Sequence, residues 1–427
     1  MKKSIILLLV ILFTPIVFAG NPVVHHIIIN GAINPVVVEF FEQSIQRAEK
    51  ASAEALVIEL DTPGGLMNST HDIVKNIMAS EIPVVVYVSP SGSRAGSAGV
   101  FITTAAHIAA MAPGTNIGSA HPVGIGVGGD SSEVMMEKVV NDAVAHIRSV
   151  AEKRGRNVEW VEKAIRESAN ITEKEALEYG VVDYVVPTLD SLLRVLDGKK
   201  IIINGNEKYF RTRDAKVVTF DMTWRQKALY RLADPNVAYF LMMLAMLGIL
   251  GEMYHPGSII PGVIGGICLL LTLYSFQMLP VNYVGIFLII FSVILFLLEI
   301  KVTSYGMLTI GGIISFIAGS LMLLDRSVPF LRISWELIAA AAIMTTLFFA
   351  FAVTMVVRAQ RKKPATGKEG LSNEEGIAIE DLRPEGRVEV HGEIWQAVAA
   401  EKIKKGTPII VVEVDSNYLR LKVKPKS

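Results

Sequence analysis

The stretch "SRAGSAGV", residues 93–100, holds Ser97 between Gly96 and Ala98, after the β-rich run "IPVVVYVSP" and before an apolar helix start, "FITTAA". Acyl transfer needs a nucleophile on such a sharp turn, a base to take its proton, and backbone N–H groups where the oxyanion develops. Gly96 lets the chain approach closely, and the amide of Ala98, just after the serine, can point at the oxyanion as in a nucleophile elbow. A second loop, "DTPGG" at 61–65, supplies another donor, because Gly64 and Gly65 leave a backbone N–H uncovered by any side chain. Either loop taken singly also reads as a plain turn. Their pairing in one α/β segment favours the chemical reading.

The elements that must hold these loops are legible in the hydropathy pattern. From residue 22 to about 200, β-branched runs ("HHIIINGAI", "ALVIEL", "PVVVYVS") alternate with stretches of helical spacing ("VVVEFFEQSIQRAEKASAE", "LMNSTHDIVKNIMAS"). That order describes βαβ units in a parallel sheet with right-handed crossovers. Sites in such folds lie in loops at the carboxyl ends of strands, which is where both glycine-rich loops fall.

The chain of 427 residues is 51% hydrophobic and 19% charged, with 41 basic and 41 acidic residues. A net charge of zero gives no electrostatic case for nucleic acid. The N-terminus, residues 1–20, reads as a signal peptide: two lysines, an apolar core, and small residues before Gly20. Between 236 and 358 lie five apolar stretches of spanning length, near 237–253, 258–279, 282–300, 305–324 and 334–357. An exported N-terminus with five spans predicts a cytoplasmic C-terminus, in agreement with the basic cluster "RAQRKK" at 358–363. Cys268, the one cysteine, lies in an apolar run, and the eight histidines lack metal-ligand spacing, so no disulfide, metal or cofactor is expected.

The remaining boundaries follow. Residues 21–200 form the α/β domain; 201–235 form a connector with an amphipathic helix, "WRQKALYRLAD", at the membrane surface; 359–375 form a polar linker. Residues 376–427 carry five short period-2 runs, which predict a small all-β barrel of the OB-fold type acting as a protein-contact module.

The segments "ELDTPGG", "AGSAG", "MAPGTNIGSAHPV" and "ITEKEALEYGVVDYVV" resemble the NfeD family of membrane-bound ClpP-class serine proteases. The likeness extends over the apolar block and the tail "DLRPEGRVEVHGEIWQA". It implies a ClpP/crotonase-like α/β domain and a Ser-Lys dyad, with Ser97 as nucleophile and Lys138, in "EVMMEKVVNDAVAHI", as base. It carries the oxyanion donors onto the amides of Gly65 and Ala98. It also implies a stomatin- or prohibitin-like membrane partner and cleavage near apolar segments; a homo-oligomer is expected as well.

The residues set a condition on that base. With a reference pKa near 10.4, a lysine must be desolvated or placed near positive charge to work at neutral pH. Val134, Met135 and Val139 are at hand to do so, but the helix's main apolar stripe is Met136, Val140, Ala143, Ile147 and Val150, nearly opposite Lys138. Burial must then come from another element or a second subunit. The rival base is His121, 24 positions after Ser97, the spacing of the ClpP triad histidine. The triad aspartate's position falls on Ser168, with only Glu167 adjacent, so His121 lacks an orienting acid.

The function expected is a membrane-tethered serine endopeptidase acting on apolar peptide, with its catalytic domain on the exported side and its barrel in the cytoplasm. The alternative is a non-catalytic membrane organiser that retains a relic protease domain. A crotonase-type acyl-CoA enzyme ranks third, because coenzyme A thioesters are cytoplasmic.

Overall fold

The computed structural model describes residues 22–122, 130–254, 257, 259–302, 304, 306–324, 331–361, 371–415 and 420–426. The expected signal peptide lies outside them, as does most of the linker.

The N-terminal domain begins with β1 (Val23–Asn30), α1 (Pro35–Lys50), β2 (Ala55–Asp61), α2 (Met67–Ala79) and β3 (Val84–Val88). It continues through β4 (Arg94–Gly96), α3 (Ala98–Ala105), β5 (Ile108–Met111), β6 (Asn116–Gly118), α4 (Asp130–Arg154) and α5 (Val158–Arg166). β7 (Asn170–Thr172), α6 (Glu173–Glu178), β8 (Tyr184–Val185), α7 (Leu189–Leu196), β9 (Lys200–Ile203), β10 (Asn206–Tyr209) and β11 (Lys216–Phe220) follow. Six strands form one sheet in the order β11-β1-β2-β3-β5-β8, every pair parallel. β4, β6 and β7 form a smaller second sheet.

Strand alternation divides the core. Leu56, Ile58 and Leu60 of β2 pack on one face with α1, α2 and α3, while Ala55 and Val57 pack on the other with α7 and β9. A sheet covered on both faces accounts for the nearly unbroken apolar runs of β2 and β3. α1 starts where Asn34 caps it, its Oδ1 accepting the N–H of Val36 at 3.0 Å and of Val37 at 3.1 Å.

The connector expected over 201–235 is largely part of this domain. β11 pairs with β1 from Val23↔Lys216 to Ile27↔Phe220 and completes the sheet edge. The helix within the connector, α8 (Trp224–Leu232), docks on α1: Gln226 is buried and donates to Gln43, and Arg225 pairs with Glu39 at 3.1 Å. Its sequence amphipathicity is spent partly on protein.

Five apolar helices follow: α9 (Pro235–Tyr254), α10 (Ile260–Met278), α11 (Tyr283–Lys301), α12 (Met307–Met322) and α13 (Trp335–Arg361). They coincide with the five stretches read from hydropathy. Among the described residues, two of them, over Pro235–Met253 and Ile260–Met278, are long and apolar enough to cross a membrane by length and composition alone. Tyr239 of α9 and Ser320 of α12 share a hydrogen bond of 2.8 Å, which satisfies two buried hydroxyls within an apolar block.

The C-terminal segment is a closed five-stranded barrel. β12 (Glu375–Ala378), β13 (Glu385–Val390), β14 (Glu393–Ala399), β15 (Pro408–Asp415) and β16 (Arg420–Pro425) close in the order β12-β13-β14-β16-β15. One parallel pair, β14–β16, among antiparallel ones gives the expected OB-like topology. Inward positions such as Val388, Val390, Ile409, Val411 and Leu421 fill its core.

Candidate active site

The two loops singled out by their glycines meet. β4 runs parallel to β6 with Gly96 opposite Gly118, and Thr62 bridges Ala95. The Thr62 N–H donates to Arg94 O at 2.8 Å, and the Gly96 N–H donates to Thr62 O at 2.9 Å. At Gly96 a β-carbon would stand 3.0 Å from Pro63 O, so the serine strand abuts the neighbouring loop's backbone. Asp61 joins the same seam, its Oδ1 accepting the Arg94 N–H at 3.0 Å. The fully buried Thr62 hydroxyl donates to Gly64 O and accepts from Gly64 N–H, each at 3.0 Å.

Ser97 stands between β4 and α3 at φ 47°, ψ −104°, a sparsely populated region for a residue with a β-carbon. Such a conformation costs about 1–3 kcal/mol and persists only where its surroundings enforce it. Here its N–H donates to Gly118 O at 3.0 Å and its C=O accepts the Val100 N–H at 2.9 Å. The serine precedes a helix without capping it, so its hydroxyl makes no cap bond. The side chain is half-buried.

The two loops that meet here carry two candidate backbone donors. Ala98 is the first residue of α3, where an N–H has no intrahelical acceptor. All eight residues of α3 are buried, so the positive end of its dipole lies in apolar surroundings. Gly65 is held by Ile33: the Ile33 N–H donates to Gly64 O and the Leu66 N–H donates to Ile33 O, both at 2.9 Å. Successive peptide groups of an extended chain point to opposite edges, so the N–H and C=O of Gly65 face away from Ile33. Among the described residues the Gly65 N–H has no acceptor. A β-carbon at Gly65 would fall 2.2 Å from Ile33 O, which explains the glycine.

Lys138 lies on α4, exposed, with no hydrogen bond or ion pair among the described residues. The stripe read from the sequence is the buried one: Val140, Ala143, Ile147 and Val150 enter the core and Met136 packs against it. Val134, Met135 and Val139, the expected desolvating neighbours, are 57%, 54% and 40% exposed. They form an apolar patch around the lysine that nothing in the described chain covers.

His121 is half-buried, and its Nδ1 donates to Ile165 O at 2.8 Å. That carbonyl orients the ring in place of the missing acid and leaves Nε2 as the acceptor. Among the described residues no hydrogen bond joins Ser97 Oγ to Lys138 or to His121.

Sequence reasoning passed over three residues of this region. Thr62, inside "DTPGG", is the hydroxyl that shapes the loop; its burial could not be read from the motif. His71 of α2 and His146 of α4 meet edge to face at 4.4 Å beside Phe101 of α3. Burial first, and then His71, hold His146 below the ordinary histidine pKa, against a weaker upward pull from Asp142. No group of three His, Cys, Asp or Glu able to hold a metal occurs among the described residues.

Comparison with known proteins covers the chain almost end to end. Residues 23–200 match the NfeD1b N-terminal domain, 236–355 the NfeD integral membrane domain, and 368–425 the NfeD-like C-terminal, partner-binding domain. The membrane-bound protease PH1510 of Pyrococcus horikoshii is 34% identical over 427 residues, 97% of this chain and 96% of that protein. The chain belongs to the NfeD family.

A second NfeD relative, the membrane protein NfeD1b of Bacillus subtilis, is 28% identical over 418 residues, 88% of this chain and 89% of its own. Among solved structures, the 1510-N membrane protease specific for a stomatin homolog from Pyrococcus horikoshii is 33% identical. It covers 50% of this chain and 100% of its own, with a TM-score of 0.44. The architecture is the one expected: a parallel-sheet α/β domain, a helical membrane domain and a closed five-stranded barrel.

Proposed function

We propose that this NfeD chain is a membrane-bound serine endopeptidase in which Ser97 is the nucleophile and Lys138 the general base. The amides of Gly65 and Ala98 receive the oxyanion. One observation carries the reading: a serine in a strained conformation, on a strand that abuts the Gly64–Gly65 loop, with no partner among the described residues for its hydroxyl or for the N–H groups of Gly65 and Ala98. Lys138 Nζ takes the Ser97 proton as Oγ attacks the scissile carbonyl, and the carbonyl oxygen gains its negative charge between the two amides. The proton then passes from Lys138 to the leaving amine. A water, deprotonated by the same nitrogen, hydrolyses the ester.

The free edge of Gly65 suits an extended peptide added alongside it. The exposed Val134, Met135 and Val139 require a cover that desolvates Lys138, either the apolar substrate or a second copy of the chain. The substrate class we infer is an apolar segment of a stomatin- or prohibitin-like membrane protein, which the barrel recruits. Five spans and the basic residues at 358–363 support an exported protease domain and a cytoplasmic barrel. The domain limits at 20, 235, 358 and 375 belong to the same proposal, and the limit expected at 200 moves past β11, which completes the sheet edge.

The absence of any bond between Ser97 and either base favours one rival, a non-catalytic organiser that keeps the fold. Labelling the full-length protein with a serine-directed phosphonate separates the two. The protease reading expects labelling of native protein, none with Ser97→Ala, and a fall of at least about 10²-fold with Lys138→Ala but not His121→Ala. An unlabelled native protein that still copurifies with its partner supports the organiser.

A further inference from the structure

A cavity of about 280 Å³ lies where the candidate active site meets the ends of the membrane helices. Pro63 and Leu66, on either side of the Gly64–Gly65 pair, form one wall together with Ile33, which holds that pair in place. Met278 and Leu279, at the end of α10, and Leu331, before α13, also line the cavity. Tyr230 and Ala233 of the α8 region close one side, and Pro235 there begins α9. The cavity therefore begins one residue from the proposed oxyanion donor and ends at the membrane helices.

Its polar groups are already engaged. The Tyr230 hydroxyl donates to Asn30 O at 3.3 Å, and Asp234 Oδ1 accepts the N–H groups of Asn236 and Val237, capping α9. What remains is mostly aliphatic: Ile33, Leu279 and Leu331 are buried, and Leu66 and Met278 half-buried. The volume is just under the range of roughly 300–1,000 Å³ typical of small-molecule and cofactor sites. It suits a single large side chain.

We infer that this cavity is a specificity subsite that seats one large apolar side chain of the substrate, leucine or an aromatic residue, as the peptide leaves the bilayer toward Ser97. The inference rests on the protease reading above and deepens it. Continuity points to a peptide rather than a lipid chain: the cavity shares Pro63 and Leu66 with the loop that carries the proposed oxyanion donor. Seating a side chain there selects bonds close to a membrane segment and leaves bonds in free peptide unfavoured.

The test uses the full chain in nanodiscs and two substrates, a peptide anchored by an apolar spanning segment and a short soluble peptide containing the same cleaved bond. Ala32 also lines the cavity, so Ala32→Trp fills it, and Leu279→Ala enlarges it. Burial of one such side chain is worth a factor of about 10–100. We expect Ala32→Trp to lower kcat/KM on the anchored peptide by about that factor, with short-peptide turnover and Ser97 labelling within about twofold of native. Leu279→Ala shifts the preferred residue at one scanned position of the anchored peptide from leucine to tryptophan.

Unchanged cleavage of the anchored peptide by Ala32→Trp overturns the subsite. So does an effect that follows lipid composition rather than peptide sequence, which assigns the cavity to a lipid chain. If Ala32→Trp does not fold, the selectivity of Leu279→Ala decides alone. Native protein that neither labels nor cleaves refutes the protease reading instead. Photo-leucine in the anchored peptide then reads the cavity separately, crosslinks at Met278 or Leu279 upholding occupancy and their absence refuting it.

Discussion

Gly65→Ala tests the backbone geometry of the site most directly. The added methyl would lie 2.2 Å from Ile33 O and 2.5 Å from Ile33 Cβ, where ordinary contact starts near 3.4 Å. Something must therefore move by about 1.2 Å. Ile33 cannot yield freely, since it is buried and tied by hydrogen bonds to both Gly64 and Leu66. The loop moves instead, and with it the amide proposed to receive the oxyanion. A displacement near 1 Å costs about 10²-fold in rate, and loss of one oxyanion donor costs about 10²–10³-fold. We expect kcat on a quenched apolar peptide to fall by about 10²–10³, with a smaller change in KM, because the oxyanion forms only in the transition state. Overpacking lowers stability by about 1–3 kcal/mol, measurable by thermal melting of the detergent-solubilised protein. A variant that folds and keeps kcat within about threefold of native would show that Gly65 is not an oxyanion donor.

Ser97→Gly releases the φ 47° strain, worth about 1–3 kcal/mol, so its melting temperature should equal or exceed that of native protein while cleavage is abolished; a clear loss of stability contradicts the strain. Thr62→Val leaves the buried Gly64 N–H without its side-chain acceptor and should cost about 1–3 kcal/mol together with activity, whereas Thr62→Ser should retain both. His107 accepts the Val84 N–H at 3.2 Å, and its burial first, then Arg154 and Lys153, push its pKa down to about 3. The folded state thus binds fewer protons than the unfolded one, so this contribution is intact above about pH 6.5 and is lost as pH falls toward 3. Between pH 6.5 and 4.5 the loss should reach about 2–3 kcal/mol, read from hydrogen exchange of β3 and β5, and His107→Gln should flatten it.

Much of this molecule was legible in its amino-acid order, and for definite reasons. Period-2 and period-3.6 patterns mark strands and helices because burial is periodic in them, so β2, β3 and α1 stand where the hydropathy placed them. The five apolar helices and the five-stranded tail follow from composition and turn residues. The α4 stripe was equally plain, since Val140, Ala143, Ile147 and Val150 recur at helical spacing. Harder to see was β11, an edge strand far along the chain that reads as connector until it pairs with β1. The amphipathicity of α8 likewise does not say whether protein or membrane meets it.

By itself, then, the order of residues determined which elements form, which loops follow the strands, and that one serine lies among residues too small to cover it. The tertiary structure decided what those loops do to one another. It seams Thr62 to Arg94 and Gly96, holds Ser97 at a positive φ, and turns the Gly65 amide away from Ile33. These are contacts between backbones about 30 residues apart. Backbone polar groups are the same in every residue type, so no local pattern of side chains can specify which of them meet.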